Sequence, residues 1–309
     1  MKSKEDILFV LSKKSVSYPI LKSKGCWLIE PYKQRSRWAY KYRYVANLLK
    51  IDGGYGLFSE LSDELLHANP KKIVIEGTVV FEPFIKKLRE RFPKEDILFF
   101  YSNIIKDPAS VHPSVLNKYD VKAYSWDKAD CDSYGLAYCK PSFDVSIMPQ
   151  LSEINYDVCF IGADKGRYKI IRDLRAIFDK YHFKSYIRVT PDFKFLKRLH
   201  SYYSDSIPYD EYLRVVSSSK CIIDLVQKGQ IGTTMRVMEA LFSGKKLISN
   251  NVHLAEYDFY HPDNIFILGK DDDRDIYGFL MKDYKPIDRK ILYEYTTDYW
   301  LNNILNIND

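Results

Sequence analysis

The sequence predicts an α/β protein built from two Rossmann-like, doubly wound parallel-sheet domains facing a cleft. Three observations lead there. The chain has 309 residues, a length that suits two domains, each able to bury its own core. Short apolar runs alternate with stretches of helical periodicity in two successive series, the pattern of strand–helix–strand units on a parallel sheet. Between the series, over 127–155, the periodicity fades, and Lys140-Pro141-Ser142 and Met148-Pro149-Gln150 punctuate the chain as an interdomain passage does. The expected domains are 1–150 and 151–309.

In the first series, 7–11 and 27–30 read as strands. Residues 35–50 read as a helix with Trp38, Tyr42, Val45 and Leu49 on one face, since positions three and four apart are neighbours; Asp52-Gly53-Gly54 ends it. A helix over 57–68, a strand over 72–75, a helix over 83–91 with Pro83 near its start, and strands over 97–101 and 121–124 follow. The second series comprises a strand over 157–161, a helix over 167–181, a strand over 185–189, and helices over 191–203 and 209–217. A strand over 221–226, a helix from Thr233-Thr234 to Ser243-Gly244, and strands over 246–249 and 265–268 come next. Helices over 273–281 and 297–305 close the chain. No internal repeat or low-complexity tract is present.

Hydrophobic residues at 46% and charged residues at 28% are those of a globular protein. The net charge of +6 is spread along the chain; it permits attraction to phosphate-bearing donors or an anionic membrane surface and is too diffuse to indicate nucleic acid. The 26 tyrosines suit carbohydrate contacts, although an AT-rich genome produces the same enrichment. Five cysteines, Cys26, Cys131, Cys139, Cys159 and Cys221, form no C-x-x-C pair, which argues for a reducing cytoplasm and against a disulfide framework or a zinc site. The apolar run after Met1 is too short for a signal peptide, and no run reaches the ~20 apolar residues of a spanning helix. A cytoplasmic location is expected, with peripheral attachment at the inner membrane face as an extension of it.

The most informative stretch is 219–250: strand, glycine-bearing loop with Gly229 and Gly232, helix, turn, strand. A helix opening with Gly232, Thr233, Thr234 and Arg236 offers unpaired N–H groups and the positive end of its dipole to an anion, most often phosphate. One turn on, Glu239 shares a face with Arg236, so a cation for phosphate is followed by a carboxylate for sugar hydroxyls. The pattern QxGxTxRxxEALxxGKxLIxN resembles the donor-binding segment of bacterial GT-B glycosyltransferases that build capsule, O-antigen and lipopolysaccharide, and YDVCFIGADKGR at 156–167 is similar to the first strand and loop of the same domain. The resemblance covers roughly the second half of the chain. It implies a GT-B fold, with 1–150 on the acceptor side and 151–309 holding a nucleotide-sugar donor. Glu239 would take the ribose, and Thr233, Thr234 and Arg236 the diphosphate. No metal and no cofactor beyond the donor itself are implied, and a UDP-sugar is favoured as the commonest carrier. The acceptor would be a saccharide, lipid-linked or free. Lys228-Gly229-Gln230 stand where the large retaining branch carries its first glutamate, so inversion and retention both stay open.

Other constellations have plainer readings beside them. Gly162 to Arg167 reads as a phosphate-facing loop or as an ordinary glycine turn. The resemblance implies that the chain at Tyr209 lines the nucleotide-base pocket, where the ring could stack; the plainer reading is a helix begun by Pro208 with acids in its first turn. Glu76, following a strand, is the first candidate for the base that an inverting transferase needs; Asp52 and His112 are further candidates in loops. The 35–50 segment, with RWAYKYRY at its heart, reads as an amphipathic helix packed on its own sheet with a solvated basic face. The same composition suits an anionic membrane or a nucleic acid. Asp271, Asp272, Asp273 and Asp275 lack calcium-loop spacing and precede a helix that acids would cap. His253 and His261 could line the cleft, and a surface role is the plainer reading. A non-catalytic nucleotide-sugar-binding protein on the same scaffold is the second functional reading.

Overall fold

The structure is a computed structural model that describes residues 6–33, 36–48, 60–76, 80–105, 111–150, 153–192, 200–227 and 230–305. The chain divides into two compact units, Met1–Lys140 with Trp300–Asp309, and Pro141–Tyr299.

In the first unit six parallel strands form one sheet in the order β2-β1-β3-β4-β5-β6. They are β1 (Ile7–Val10), β2 (Trp27–Ile29), β3 (Lys72–Glu76), β4 (Asp96–Phe100), β5 (Lys122–Ser125) and β6 (Ala137–Tyr138). The helices are α1 (Ser17–Ser23), α2 (Arg37–Leu48), α3 (Asp63–His67), α4 (Glu82–Arg91), α5 (Pro113–Lys118) and α6 (Lys128–Tyr134). Side chains alternate across the sheet. Leu8, Val10, Ile73, Ile75, Ile97 and Phe99 pack with α3, α4 and α5, while Ile7, Phe9, Val74, Leu98 and Phe100 pack with α1 and with Trp300 and Leu301 from the far end of the chain. Both faces are covered, which is why the strands read as unbroken apolar runs.

The second sheet is also parallel, in the order β11-β10-β9-β7-β8. Its strands are β7 (Tyr156–Ala163), β8 (Ser185–Thr190), β9 (Ser219–Asp224), β10 (Lys246–Ser249) and β11 (Ile265–Ile267). Helices α7 (Tyr168–Lys180) and α10 (Ile276–Met281) cover one face through Ile171, Leu174, Phe178, Ile276 and Phe279. Helices α8 (Tyr209–Ser217) and α9 (Met235–Phe242) cover the other through Val216, Val237, Met238 and Leu241. The expected α/β class with two doubly wound parallel sheets is therefore observed. The strands run 2-1-3-4-5-6 across the first sheet and 2-1-3-4-5 across the second, so the order reverses between β1 and β3 and again between β7 and β9. Those reversals leave a crevice beyond the carboxyl ends of the strands, where ligands of such sheets bind.

Several local expectations are corrected. The stretch after Asp127 is not irregular: the Asp127 side chain caps α6, Gly135 ends it at φ +65°, and the sixth strand follows. Short elements such as α1, α5 and α6 carry too few turns for periodicity to reveal. The 297–305 helix is a single turn, Thr297–Tyr299, followed by a π-helical turn, Trp300–Ile304. Met235, the first residue of the helix over Met235–Phe242, is exposed. The aromatic stripe of α2 points outward, with Ala39, Arg43 and Ala46 turned in instead. Leu49, Asp52 and most of the helix expected over 191–203 lie outside the described residues.

Candidate functional site

The second unit builds its site at the β7/β9 reversal. Strand β7 runs into Gly162, where a Cβ would stand 2.8 Å from Arg236 Nη2 and 3.3 Å from Phe160 Cζ. Glycine there makes room for the arginine. Arg236 Nη2 donates to the Ile161 carbonyl at 2.8 Å, and its Nη1 lies 3.7 Å from Asp224. Beyond β7 the chain is fixed by the buried Asp164 carboxylate, which accepts from Tyr168 N at 2.9 Å and from the Tyr203 hydroxyl at 2.5 Å. Lys165 N donates to Asp192 at 3.0 Å. Lys165 and Gly166 adopt φ +46° and +76°, a left-handed pair that turns the chain sharply and delivers Arg167 to the start of α7.

Arg167 is the notable product of that turn. It is 8% exposed, and its Nε has no hydrogen-bond partner. Burial pulls its pKa down, and the neighbouring Arg236 guanidinium pulls the same way. A buried cation is normally paired, so this one is poised for an anion. It lines a cavity of about 510 Å³ together with Lys165, Gln227, Gln230, Asn250 and His253. The strand ends β7, β9 and β10 supply these walls.

The opposite wall is organised by Asp224, the last residue of β9 and fully buried. Its carboxylate accepts from Thr234 Oγ1 at 2.7 Å and Ser249 Oγ at 3.2 Å. Thr234 also caps α9 through Arg236 N. Asn250 brackets Val226, accepting from its N–H at 2.7 Å and donating to its carbonyl at 3.3 Å. Asn251 Nδ2 donates to the Ile231 and Gly232 carbonyls. The loop before α9 is thus clipped to the end of β10. His253 Nδ1 is held by Glu256 at 2.8 Å.

Of the ligand-binding residues expected from the sequence, only Arg167 lines this cavity among the described residues. Gly162, Gly232, Thr234 and Arg236 shape the loops around it, and Thr233 is 3% exposed with its hydroxyl unpartnered. Glu239 is 1% exposed, one turn into α9. Both of its oxygens are occupied, one by the Tyr209 hydroxyl at 3.0 Å and the other by the Tyr212 hydroxyl in a short hydrogen bond. Burial raises the Glu239 pKa, against the two phenols and Arg236, which lower it. Tyr209 is the exposed member of a stacked tyrosine pair. Lys165 was read only as part of the 162–167 loop, and His253 as a cleft or surface residue. They follow strand ends, and that position was the one available signal. A lone exposed lysine or histidine carries none of its own; His253, for which a cleft and a surface place were both open, lines the cavity.

In the first unit Glu76 ends β3 beside β1, at the other reversal of strand order. Ser17 Oγ donates to its Oε1 at 2.7 Å, and Oε2 is buried without a partner. Burial raises its pKa and the Ser17 hydrogen bond only partly opposes this, the condition of a carboxylate able to take a proton. His112 is used differently: its ring nitrogen caps α5 by accepting from Ser114 N at 3.2 Å.

No family model and no curated protein matches this chain. Among solved structures, it is similar to a provisionally named UDP-N-acetylglucosamine 2-epimerase from Listeria monocytogenes, with a TM-score of 0.46 and 7% identity. The alignment covers 97% of this chain and 94% of that one. A likeness at this level says nothing about substrate.

Proposed function

We propose that the chain is a metal-independent glycosyltransferase that moves a sugar from a nucleotide diphosphate donor, a UDP-sugar by preference, to a saccharide acceptor, in the manner of the GT-B enzymes of surface-polysaccharide assembly. The observation that carries this is Arg167: a buried guanidinium with an unpaired Nε, facing a cavity at the strand-order reversal. In this reading the diphosphate occupies the cavity. Arg167, with Lys165 beside it, stabilises the negative charge that grows on the leaving group as the anomeric bond breaks, electrostatic work of the kind worth ~10²–10³ in rate per donor. Thr234 and Arg236 act behind it, by holding the loop and the strand end in place. Glu239 takes the ribose diol, with the Tyr209 hydroxyl leaving one oxygen to admit it. Glu76 removes the proton of the attacking acceptor hydroxyl.

Calorimetry with UDP, GDP and uridine tests the reading. A nucleoside diphosphate should bind and uridine should bind far less, because the diphosphate supplies the charge. Arg167→Ala should abolish most of that difference. Equal affinity for UDP and uridine would remove the assignment. Donor binding with no hydrolysis or transfer would leave the non-catalytic alternative.

A further inference from the structure

Among the described side chains, helix α2 is inside out for a helix of a globular domain. Such helices bury their large apolar stripe and expose small or charged residues. Here Trp38, Tyr42 and Val45 are 78%, 43% and 48% exposed, while Ala39, Ala46 and Arg43 face inward. Arg43 is spent internally, its guanidinium lying 3.9 Å from the centre of the Tyr32 ring. The outward residues fall at i, i+4 and i+7, one continuous side of the helix.

The charge of the segment points to the occupant of that side. From Lys33 to Lys50 the chain carries Lys33, Arg35, Arg37, Lys41, Arg43 and Lys50, and no acidic residue. Lys33 Nζ lies 3.2 Å from Asp63 of α3. Lys41 is exposed and its ammonium sits 5.5 Å from the Trp38 ring centre, so a cation and the indole are presented together. Trp and Tyr beside Lys and Arg are the residues that settle at the boundary between lipid headgroups and acyl chains. A short helix with an aromatic stripe and flanking cations lies in the plane of such an interface. Among the described residues no helix is long and apolar enough to cross a membrane.

We propose that the outward face of α2, Trp38, Tyr42 and Val45 with Lys41, docks into the headgroup region of an anionic lipid bilayer. This stands apart from the nucleotide-sugar reading: it uses residues of the other unit and a different ligand chemistry. The test is co-sedimentation of the full chain with phosphatidylcholine vesicles, with and without phosphatidylglycerol. The chain should partition onto the phosphatidylglycerol vesicles and leave them at high salt. Trp38→Glu should weaken partitioning about tenfold or more, and Lys41→Glu at least about fivefold, the effect of one cation near such a surface. Both substitutions lie on exposed side chains, so the thermal midpoint should not move. No preference for anionic vesicles, or Trp38→Glu and Lys41→Glu both binding as the parent does, would overturn the proposal. So would salt-sensitive capture of an oligonucleotide, lost with Trp38→Glu, in place of the vesicles.

Discussion

Arg167 and Glu76 are candidate site residues that each keep a buried polar atom without a hydrogen-bond partner. Removing a buried, unpartnered cation should not harm the empty protein. Arg167→Met is therefore expected to leave the ligand-free thermal midpoint unchanged or higher, while nucleoside diphosphate affinity falls about 10- to 100-fold, the loss of one charge-assisted hydrogen bond. Differential scanning fluorimetry with and without UDP reads both. Glu76 makes a pH-dependent prediction. Its folded pKa lies above the ordinary 4.5 because of burial. Between 4.5 and the folded value the native state holds a proton that the unfolded chain has lost, so stability falls as pH rises through that window and stays lower above it. Glu76→Gln removes this loss. The variant should unfold at a higher temperature than the parent near neutral pH, with the gap closing as pH falls to about 4.5. Transfer activity should drop ~10²–10⁴-fold at the same time. Both residues were legible as candidates because each follows a strand end, where doubly wound sheets place their chemistry. That Arg167 would lie buried without a partner was not legible. It follows from Asp164 and Asp192 spending their carboxylates on backbone N–H groups and the Tyr203 hydroxyl instead of on the arginine.

At the scale of the element, α9 shows how one side chain ties a helix start to a strand end. The Thr234 hydroxyl accepts from Arg236 N and donates to Asp224. Thr234→Ala should cost about 2 kcal/mol, from the lost cap and the partly deserted buried carboxylate. Thr234→Ser should recover most of it, as chemical denaturation would show. The helix was legible in its threonine start and Ser243-Gly244 end, and Gly244 does stand at φ +60°. What could not be read was the use of Thr234: a hydroxyl that might have met a phosphate is committed to Asp224, ten positions earlier in the chain. Helix α2 teaches the complementary lesson. Periodicity showed that Trp38, Tyr42 and Val45 share a side, and it cannot say whether that side faces the core.

At the scale of the molecule, the chain crosses between its units twice, since Trp300–Asp309 rejoins the first unit. Trp300 packs edge-on to Phe100 at 5.1 Å between ring centres and tilted to Phe9 at 6.1 Å. Lys72 Nζ donates to the Leu305 carbonyl at 3.1 Å. Trp300→Ala should cost about 3–5 kcal/mol. The signature is selective: amide exchange should quicken in β1, β3 and β4 and hold steady in β7, β9 and β10.

The sequence by itself determined the α/β class, the two series of parallel strands, most strand positions and the loops that carry the candidate chemistry. Apolar runs, glycine turns and capping residues act over a few positions, so these features are written locally. The tertiary structure alone decided which charges are satisfied. Glu239 is closed by Tyr209 and Tyr212 from another helix, Asp224 is filled by Thr234 and Ser249, and Arg167 keeps an open donor toward the cavity. It also decided which side of α2 faces out. Pairing and burial depend on residues far apart in the chain, and no local pattern encodes which of them will meet.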